Sequence, residues 1–285
     1  MPGAVPWPAH PSLPQPIAML LARITDPLDV RLDDYRALRD ADLRARGIFV
    51  AEGRWAVRRL LESPRFATRS VLTTEATLGG LRDLLDDGPL AVPALIAAHE
   101  IIRAVVGFKF HRGCLAVGER PAPVPAAALI EPPGPRTLVA VESLADPENV
   151  GAVFRNGMAF GAHAVLLSPD CGDPLGRKAI RVSAGGTLRV PFAEIERWPA
   201  DLAPLRAAGY DVIALTPDGS VDLLDFGRSR PIGSRMALLV GNEGAGLSDA
   251  ARGEASLTVR IAMAEGVDSL NVATACGIAL HRLMA

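Results

Sequence analysis

The sequence is poor in cysteine, lysine and aromatic residues, and each shortage narrows what the chain can be. Its three cysteines, Cys114, Cys171 and Cys276, stand far apart with no metal-ligand spacing. That argues against a disulfide framework and a zinc site, and the odd, small count suits a reducing compartment. No basic leader precedes the apolar run from Ile17 to Ala22, which is too short for a signal core. Nor does any stretch approach the roughly 20 apolar residues of a membrane-spanning helix. The expectation is a cytoplasmic protein that uses neither membrane nor metal.

A net charge of −2 gives no global nucleic-acid signature. Basic charge is nevertheless uneven. Lys109 and Lys178 are the only lysines, and residues 31–70 hold ten arginines against six acids. Such a face can meet phosphates, or it can be a solvated helical surface. With 49% hydrophobic residues, the 285-residue chain has the composition of a globular protein with one large domain or two ordinary ones.

Proline marks the divisions. Residues 1–16 carry six prolines and no periodicity, so residues 1–27 read as a disordered or extended arm. Residues 28–120 read as a small α/β domain. Asp33 to Arg46 looks helical. Strands are expected at Phe49–Glu52, Ser70–Thr73, Ala91–Pro93 and Cys114–Val117. Gly53–Glu62 is amphipathic, offering Trp55, Val57, Leu60 and Leu61 to the core and Arg54, Arg58 and Arg59 to solvent. Six prolines in residues 121–135 predict an extended, semi-rigid linker.

Residues 136–285 form a second unit. Apolar runs at Thr137–Glu142, Ala164–Leu167, Asp211–Thr216, Met236–Val240 and Leu257–Ile261 read as strands, and Leu188–Val190 as short and extended. Helices are expected at Asp146–Phe160, Arg177–Val182 and Asp201–Ala208, with a last one after Ser269. Asp146-Pro147-Glu148 is a helix start and Gly161 a plausible stop. Five apolar strands separated by helices imply a parallel sheet covered on both faces.

Three segments of this unit carry polar residues that packing does not require. The turn Gly241-Asn-Glu-Gly-Ala-Gly246 is neither a dinucleotide fingerprint nor a P-loop. Its glycines let backbone amides approach a ligand, and Asn242 and Glu243 stand at its rim. In the last segment Ser269 is a good helix cap, and Asn271 is a polar group without an evident local partner. In Asn149–Asn156 the two asparagines share a helix stripe. Arg155, amid Val153, Phe154 and Met158, calls for an anion or carboxylate. His111 and His163 have no companion ligands and read as structural.

Asn149-Val-Gly-Ala-Val-Phe-Arg-Asn156, Leu239-Val-Gly-Asn-Glu-Gly-Ala-Gly-Leu-Ser248 and Ser269-Leu-Asn-Val-Ala-Thr-Ala275 resemble, in order and spacing, the three motifs of the SpoU (TrmH-type) RNA ribose methyltransferases of the SPOUT superfamily. Phe49-Val-Ala-Glu-Gly53 and Phe110-His-Arg-Gly-Cys114 resemble that family's small, L30e-like substrate-binding domain. Ala273-Thr274 departs from the common Ser-Val. The resemblance implies an α/β fold with a deep trefoil knot in the C-terminal parallel-sheet domain, and a homodimer. It also implies S-adenosyl-L-methionine as cofactor and methylation of a ribose 2′-hydroxyl in RNA, ribosomal or transfer, and the extra N-terminal domain favours ribosomal RNA by analogy.

By position, Asn149, Arg155, Glu243, Ser269 and Asn271 are then the catalytic set. Leu215, Thr216, Gly241, Asn242, Gly246, Ile261, Met263 and Leu270 would hold the cofactor, and Arg54, Arg58 and Arg59 the RNA. A non-catalytic RNA-binding or ribosome-assembly factor on the same fold is the rival. A dinucleotide-dependent oxidoreductase lacks its glycine fingerprint and downstream acid.

Overall fold

The computed structural model describes residues 21–36, 38–85, 92–107, 110, 113–134, 136–229 and 233–284. His111 and the start of the N-terminal arm lie outside them. Packing divides the described chain into two units, residues up to 122 with 175–189, and residues 123–174 with 190–284. The sequence boundaries differ in two places. Residues 175–189 pack with the first unit, and most of the expected linker packs with the second.

In the first unit five strands, β1 (Leu21–Ile24), β2 (Ile48–Glu52), β3 (Thr68–Thr73), β4 (Ala94–Ala97) and β5 (Cys114–Glu119), form a mixed sheet. Their order is β1-β4-β3-β5-β2. β1 lies within the expected arm, yet it pairs in parallel with β4 along its length. The strand expected at 91–93 forms at 94–97, where all four residues are buried. The single helix expected over 33–46 is broken into a 3-10 turn at Val30–Tyr35 and a helix at Asp40–Ala45, because Arg36 turns extended between them.

Helix α1 (Arg54–Leu61) buries Ala56, Val57 and Leu60. Trp55, expected in that core, is 60% exposed, because small Ala56 takes the inward place beside Val57. Cys114 is buried in this unit's sheet and Cys276 in the second unit, both as free thiols. Burial pushes each thiol up to about 12, so neither presents a thiolate at neutral pH.

The second unit begins with a helix where an extended linker is expected. In α2 (Ala126–Ile130) a run of three alanines starts the turn, and Leu129 and Ile130 are buried in the core of the unit. Seven strands follow: β6 (Thr137–Val141), β7 (Ala164–Leu167), β8 (Phe192–Glu194), β9 (Asp211–Leu215), β10 (Val221–Asp222), β11 (Met236–Val240) and β12 (Leu257–Arg260). Their order is β10-β12-β9-β11-β6-β7-β8, with every pair parallel. Every residue of β6 and β11 is buried, as a sheet covered on both faces requires. Residues 188–190 belong to a 3-10 turn and its exit rather than to a strand, and the pairing begins at Phe192.

Helix α3 (Pro147–Phe160) starts as the sequence predicts. The Asp146 carboxylate accepts the Glu148 amide at 2.9 Å, Pro147 opens the first turn, and Gly161 closes the helix at φ +77°. α4 (Asp249–Gly253) follows the glycine turn, and α5 (Val272–Met284) ends the unit, packing against α3. Gly277 permits that approach, since a Cβ there would lie 3.0 Å from the Asn156 amide nitrogen. Asn156 in turn donates to the Ala273 carbonyl at 2.6 Å, joining α3 to the first turn of α5.

Candidate active site

Strands β12, β9 and β11 are neighbours and all parallel, so their carboxyl ends, and the turns that follow them, lie side by side. The turns enclose a cavity of about 430 Å³, within the range of small-molecule sites. Leu215 and Thr216 reach it from the end of β9, and Gly241, Asn242 and Gly246 from the turn after β11. Ile261, Met263 and Leu270 line it from the turn after β12. All eight residues assigned to a cofactor by the sequence therefore share one cavity. Glu243 and Ser269 line it too, whereas Asn149, Arg155 and Asn271 do not.

The glycine turn is closed on itself. Asn242 and Gly246 exchange backbone hydrogen bonds of 3.1 and 2.9 Å. A Cβ on Gly241 would stand 2.3 Å from the Gly246 oxygen, so no side chain fits there, and Gly246 takes φ +70°. Asn242 is not the unpaired polar residue that the sequence suggests. Its side-chain oxygen accepts the Gly244 and Ala245 amides at 2.7 and 3.2 Å, and its amide donates to the Ser143 carbonyl at 2.9 Å. Asn242 borders the cavity, but its side chain is committed to holding the turn.

Three of the five expected catalytic residues are hydrogen-bonded in series. The Asn271 side-chain oxygen accepts the Ala273 and Thr274 amides at 3.0 and 3.3 Å, which makes Asn271 the cap of α5. This corrects two expectations, since Ser269 caps nothing and Asn271 is not without a local partner. The Asn271 amide then donates to Asn149 Oδ1 at 2.9 Å, and the Asn149 amide donates to Glu243 Oε1. Capping fixes which end of Asn271 accepts, and that choice sets the direction of each later bond. Glu243 ends the chain as an acceptor.

Arg155 is exposed on α3 rather than sunk among its apolar neighbours. The buried charge inferred from sequence is absent because Val153 and Phe154 occupy the inner face and leave Arg155 pointing outward.

Two further networks escape the sequence reading. The buried Glu142 carboxylate accepts three hydrogen bonds, from Trp198 Nε1 at 2.7 Å and from the Ser248 hydroxyl and amide at 2.7 and 2.8 Å. It thereby anchors the far end of the glycine turn. The one available signal was an acid directly after the apolar run of β6. Beside it Ser143 takes φ +55°, unusual for a residue with a side chain. Its amide donates to Ser168 Oγ at 2.8 Å and its hydroxyl to Asp170 at 2.5 Å. Hydrogen bonds from Ser143 and Ser168 hold the Asp170 carboxyl below the usual carboxylate range. The carbonyl that Ser143 presents to Asn242 is therefore fixed from behind, a link that no local pattern foretells.

Four charged residues line the cavity, the acids Asp218, Glu243 and Asp268 and a single Arg252. Arg252 pairs with Asp218 at 2.8 Å and, with a smaller contribution from Thr216, holds that carboxyl low. Three carboxylates to one guanidinium disfavour a polyphosphate and suit a ligand of net positive charge. S-adenosylmethionine, with a sulfonium, an ammonium and a carboxylate, fits both this balance and the aliphatic lining. Among the described residues no group of His, Cys, Asp and Glu is placed to hold a metal ion.

In the first unit the arginines assigned to RNA are partly engaged. Arg58 forms a two-pronged pair with Asp83 at 2.8 and 2.7 Å, and Arg59 donates to the Ala184 carbonyl. Arg54 is exposed, with its guanidinium carbon 5.3 Å from the centre of the Trp55 ring. The basic balance of residues 31–70 is also partly neutralised. Arg31, Arg36, Arg46 and Arg69 each pair with an acid.

Fold and cavity together define an α/β protein that takes a small ligand at the carboxyl ends of parallel strands. The SpoU rRNA Methylase family matches residues 136–281. An uncharacterized tRNA/rRNA methyltransferase of Mycobacterium tuberculosis is 38% identical over 263 residues, 90% of each chain, as is one from Mycobacterium bovis. The chain belongs to the SpoU rRNA methylase family.

Solved structures agree. An AdoMet-bound rRNA methyltransferase from Sinorhizobium meliloti superposes with a TM-score of 0.76 at 26% identity, covering 92% of this chain and 97% of that one. The SpoU methyltransferase AviRb from Streptomyces viridochromogenes does so with a TM-score of 0.76 at 25% identity, covering 90% and 96%. Among the described residues no helix is long and apolar enough to cross a membrane.

Proposed function

We propose that this protein transfers the methyl group of S-adenosyl-L-methionine to a ribose 2′-hydroxyl of structured RNA, ribosomal rather than transfer RNA. One observation carries the reading. The cavity between three strand-end turns receives every residue assigned to the cofactor, and Glu243, on its wall, is tied through Asn149 to Asn271. Family membership and the AdoMet-bound relative support it.

When bound, the cofactor supplies an activated methyl on a sulfonium, so the protein's task is alignment and help with a weakly acidic hydroxyl. Leu215, Ile261, Met263 and Leu270 offer aliphatic contact for the adenosyl part, and the backbone of the Gly241–Gly246 turn offers its polar groups. Asn149 holds Glu243 in one orientation at the rim, and Ser269 stands exposed on the same wall.

Arg155 binds the RNA phosphate beside the target ribose and stabilises developing alkoxide charge. An arginine is effectively never deprotonated, which disfavours it as the base. Its exposure on α3 suits a phosphate brought by a second molecule. The first unit holds the RNA by phosphate and shape, with Arg54 more available for it than Arg58 or Arg59. The same reading makes the protein a homodimer and its C-terminal unit a deep trefoil knot.

The test is transfer of labelled methyl from S-adenosylmethionine to ribosomal and transfer RNA that lack the modification, with Arg155→Ala alongside. The expected result is alkali-resistant label at one linkage of ribosomal RNA, lost in the variant. Label in transfer RNA alone would reverse the substrate assignment. Absence of both label and cofactor binding would leave the non-catalytic RNA-binding factor. Near-normal turnover by Arg155→Lys would contradict two-pronged recognition by the guanidinium.

A further inference from the structure

Among the large hydrophobic side chains exposed in the described residues, Trp55 is the single aromatic, at 60%. A tryptophan ordinarily pays for itself by burial, and the amphipathic pattern of α1 would take it inward. The structure instead uses Ala56, Val57 and Leu60 for the core and leaves the indole outside. Trp198, by contrast, has a structural task in bonding Glu142.

The side chain that stands beside the Trp55 ring is basic. Arg54 stands 5.3 Å from the ring centre, and its stem passes over Gly80, where a Cβ would lie 3.2 Å from Arg54 Cδ. Trp55 also sits in the first turn of α1, which has no acid in that turn and no side-chain cap. The positive end of the helix and the guanidinium thus flank one free aromatic face. A lone ring between positive groups does not make an apolar patch for a protein partner. It is the combination that binds an unpaired nucleobase, by stacking on the ring and by charge toward the neighbouring phosphate.

We propose that Trp55, flanked by Arg54, is a stacking platform for an unpaired base of the RNA substrate. The assignment rests on the RNA reading above and sharpens it, since it requires a single-stranded element in the substrate rather than a plain duplex.

The test uses the full chain and two fluorescently labelled RNAs, a hairpin with an unpaired loop and a blunt duplex of similar length. Trp55→Ala should weaken hairpin binding by about tenfold, the size of one base–aromatic stack, and leave duplex binding nearly unchanged. Trp55→Phe should recover most of the loss and Trp55→Leu should not, because only the aromatic variant restores a stacking face. Arg54→Ala should weaken both RNAs and flatten their salt dependence.

Equal recovery by Trp55→Leu would overturn the proposal in favour of simple burial. A change in sedimenting mass in Trp55→Ala would overturn it in favour of a contact between copies of the chain. If the parent binds the hairpin and Trp55→Ala binds it equally well, the stacking assignment alone fails. If the parent binds neither RNA, the RNA reading fails and this assignment with it.

Discussion

In the first unit most charges that pair do so at the surface, some with a near neighbour in sequence and some across a longer span. Arg31 pairs with Asp29 and Arg36 with Asp33, each over two or three residues, and Arg69 meets Asp34 and Glu119 at the surface. In the second unit the polar residues bond at long range. Asn149 meets Glu243 across 94 residues of sequence, and Asn271 meets Asn149 across 122. The two patterns have different causes. Long exposed side chains find whichever acid is near, and such pairs are worth little singly. The amides are brought together by strand order, because β9, β11 and β12 end side by side and α3 lies against α5. Exposed pairing should therefore tolerate change, whereas the set held by strand order should fail as a unit.

Five substitutions sharpen or break that contrast. The largest effect belongs to Glu142→Ala, which leaves the half-buried Trp198 and the exposed Ser248 without their shared acceptor at the end of the glycine turn. It should cost on the order of 3 kcal/mol in urea unfolding. Loss of less than a third of that would mean that the carboxylate does not anchor the glycine turn.

Next is the cap of α5. Asn271→Ala should destabilise by about 1 kcal/mol and Ser269→Ala by less than about 0.5. The reverse order in thermal melts would restore Ser269 as the cap.

His163 gives a smaller effect that depends on pH. Its Nδ1 accepts the Thr137 amide at 3.1 Å, and burial, then Arg136, lowers its folded pKa below the ordinary imidazole value. The unfolded state therefore takes up the proton first. Stability from the neutral ring is present above about pH 6.5 and is lost as pH falls toward the depressed folded value. Parent stability should decline over that window, and His163→Asn should flatten the decline. A parallel decline in the variant would assign the sensitivity to another group.

A small effect is also expected of Arg58→Ala. Its pair with Asp83 is exposed on the acid's side, so stability should change by less than about 1 kcal/mol. A larger loss would place Arg58 among the residues that hold the first unit together.

The contrast also explains what the sequence could and could not tell. The strands of the second unit are legible because burial on both faces writes them as unbroken apolar runs, as in Met236–Val240. The start of α3 is legible because Asp146 and Pro147 fix it locally. The cavity residues follow from those strand ends, by way of the family motifs.

What stays hidden depends on partners distant in sequence. β1 is a short edge strand whose pairing with Ala94–Ala97 has no local mark. Asn242 and Asn271 look like free polar groups until the turn and the helix start are built around them. Trp55 and Arg155 both go to the surface from patterns that suggested burial. In each case a neighbour, Ala56 or Phe154, fills the inner place, and only the packed helix shows which of two adjacent residues wins it.

The central claim is that the cavity and the Asn271–Asn149–Glu243 relay form one methyl-transfer site. It is tested most directly by measuring, on a single preparation of Asn149→Ala, both S-adenosylmethionine affinity and single-turnover methyl transfer to ribosomal RNA. The account predicts cofactor affinity close to that of the parent and transfer slowed by about a hundredfold, the usual cost of one misplaced polar group at a reacting centre. Unchanged transfer would separate the relay from the chemistry and contradict the account.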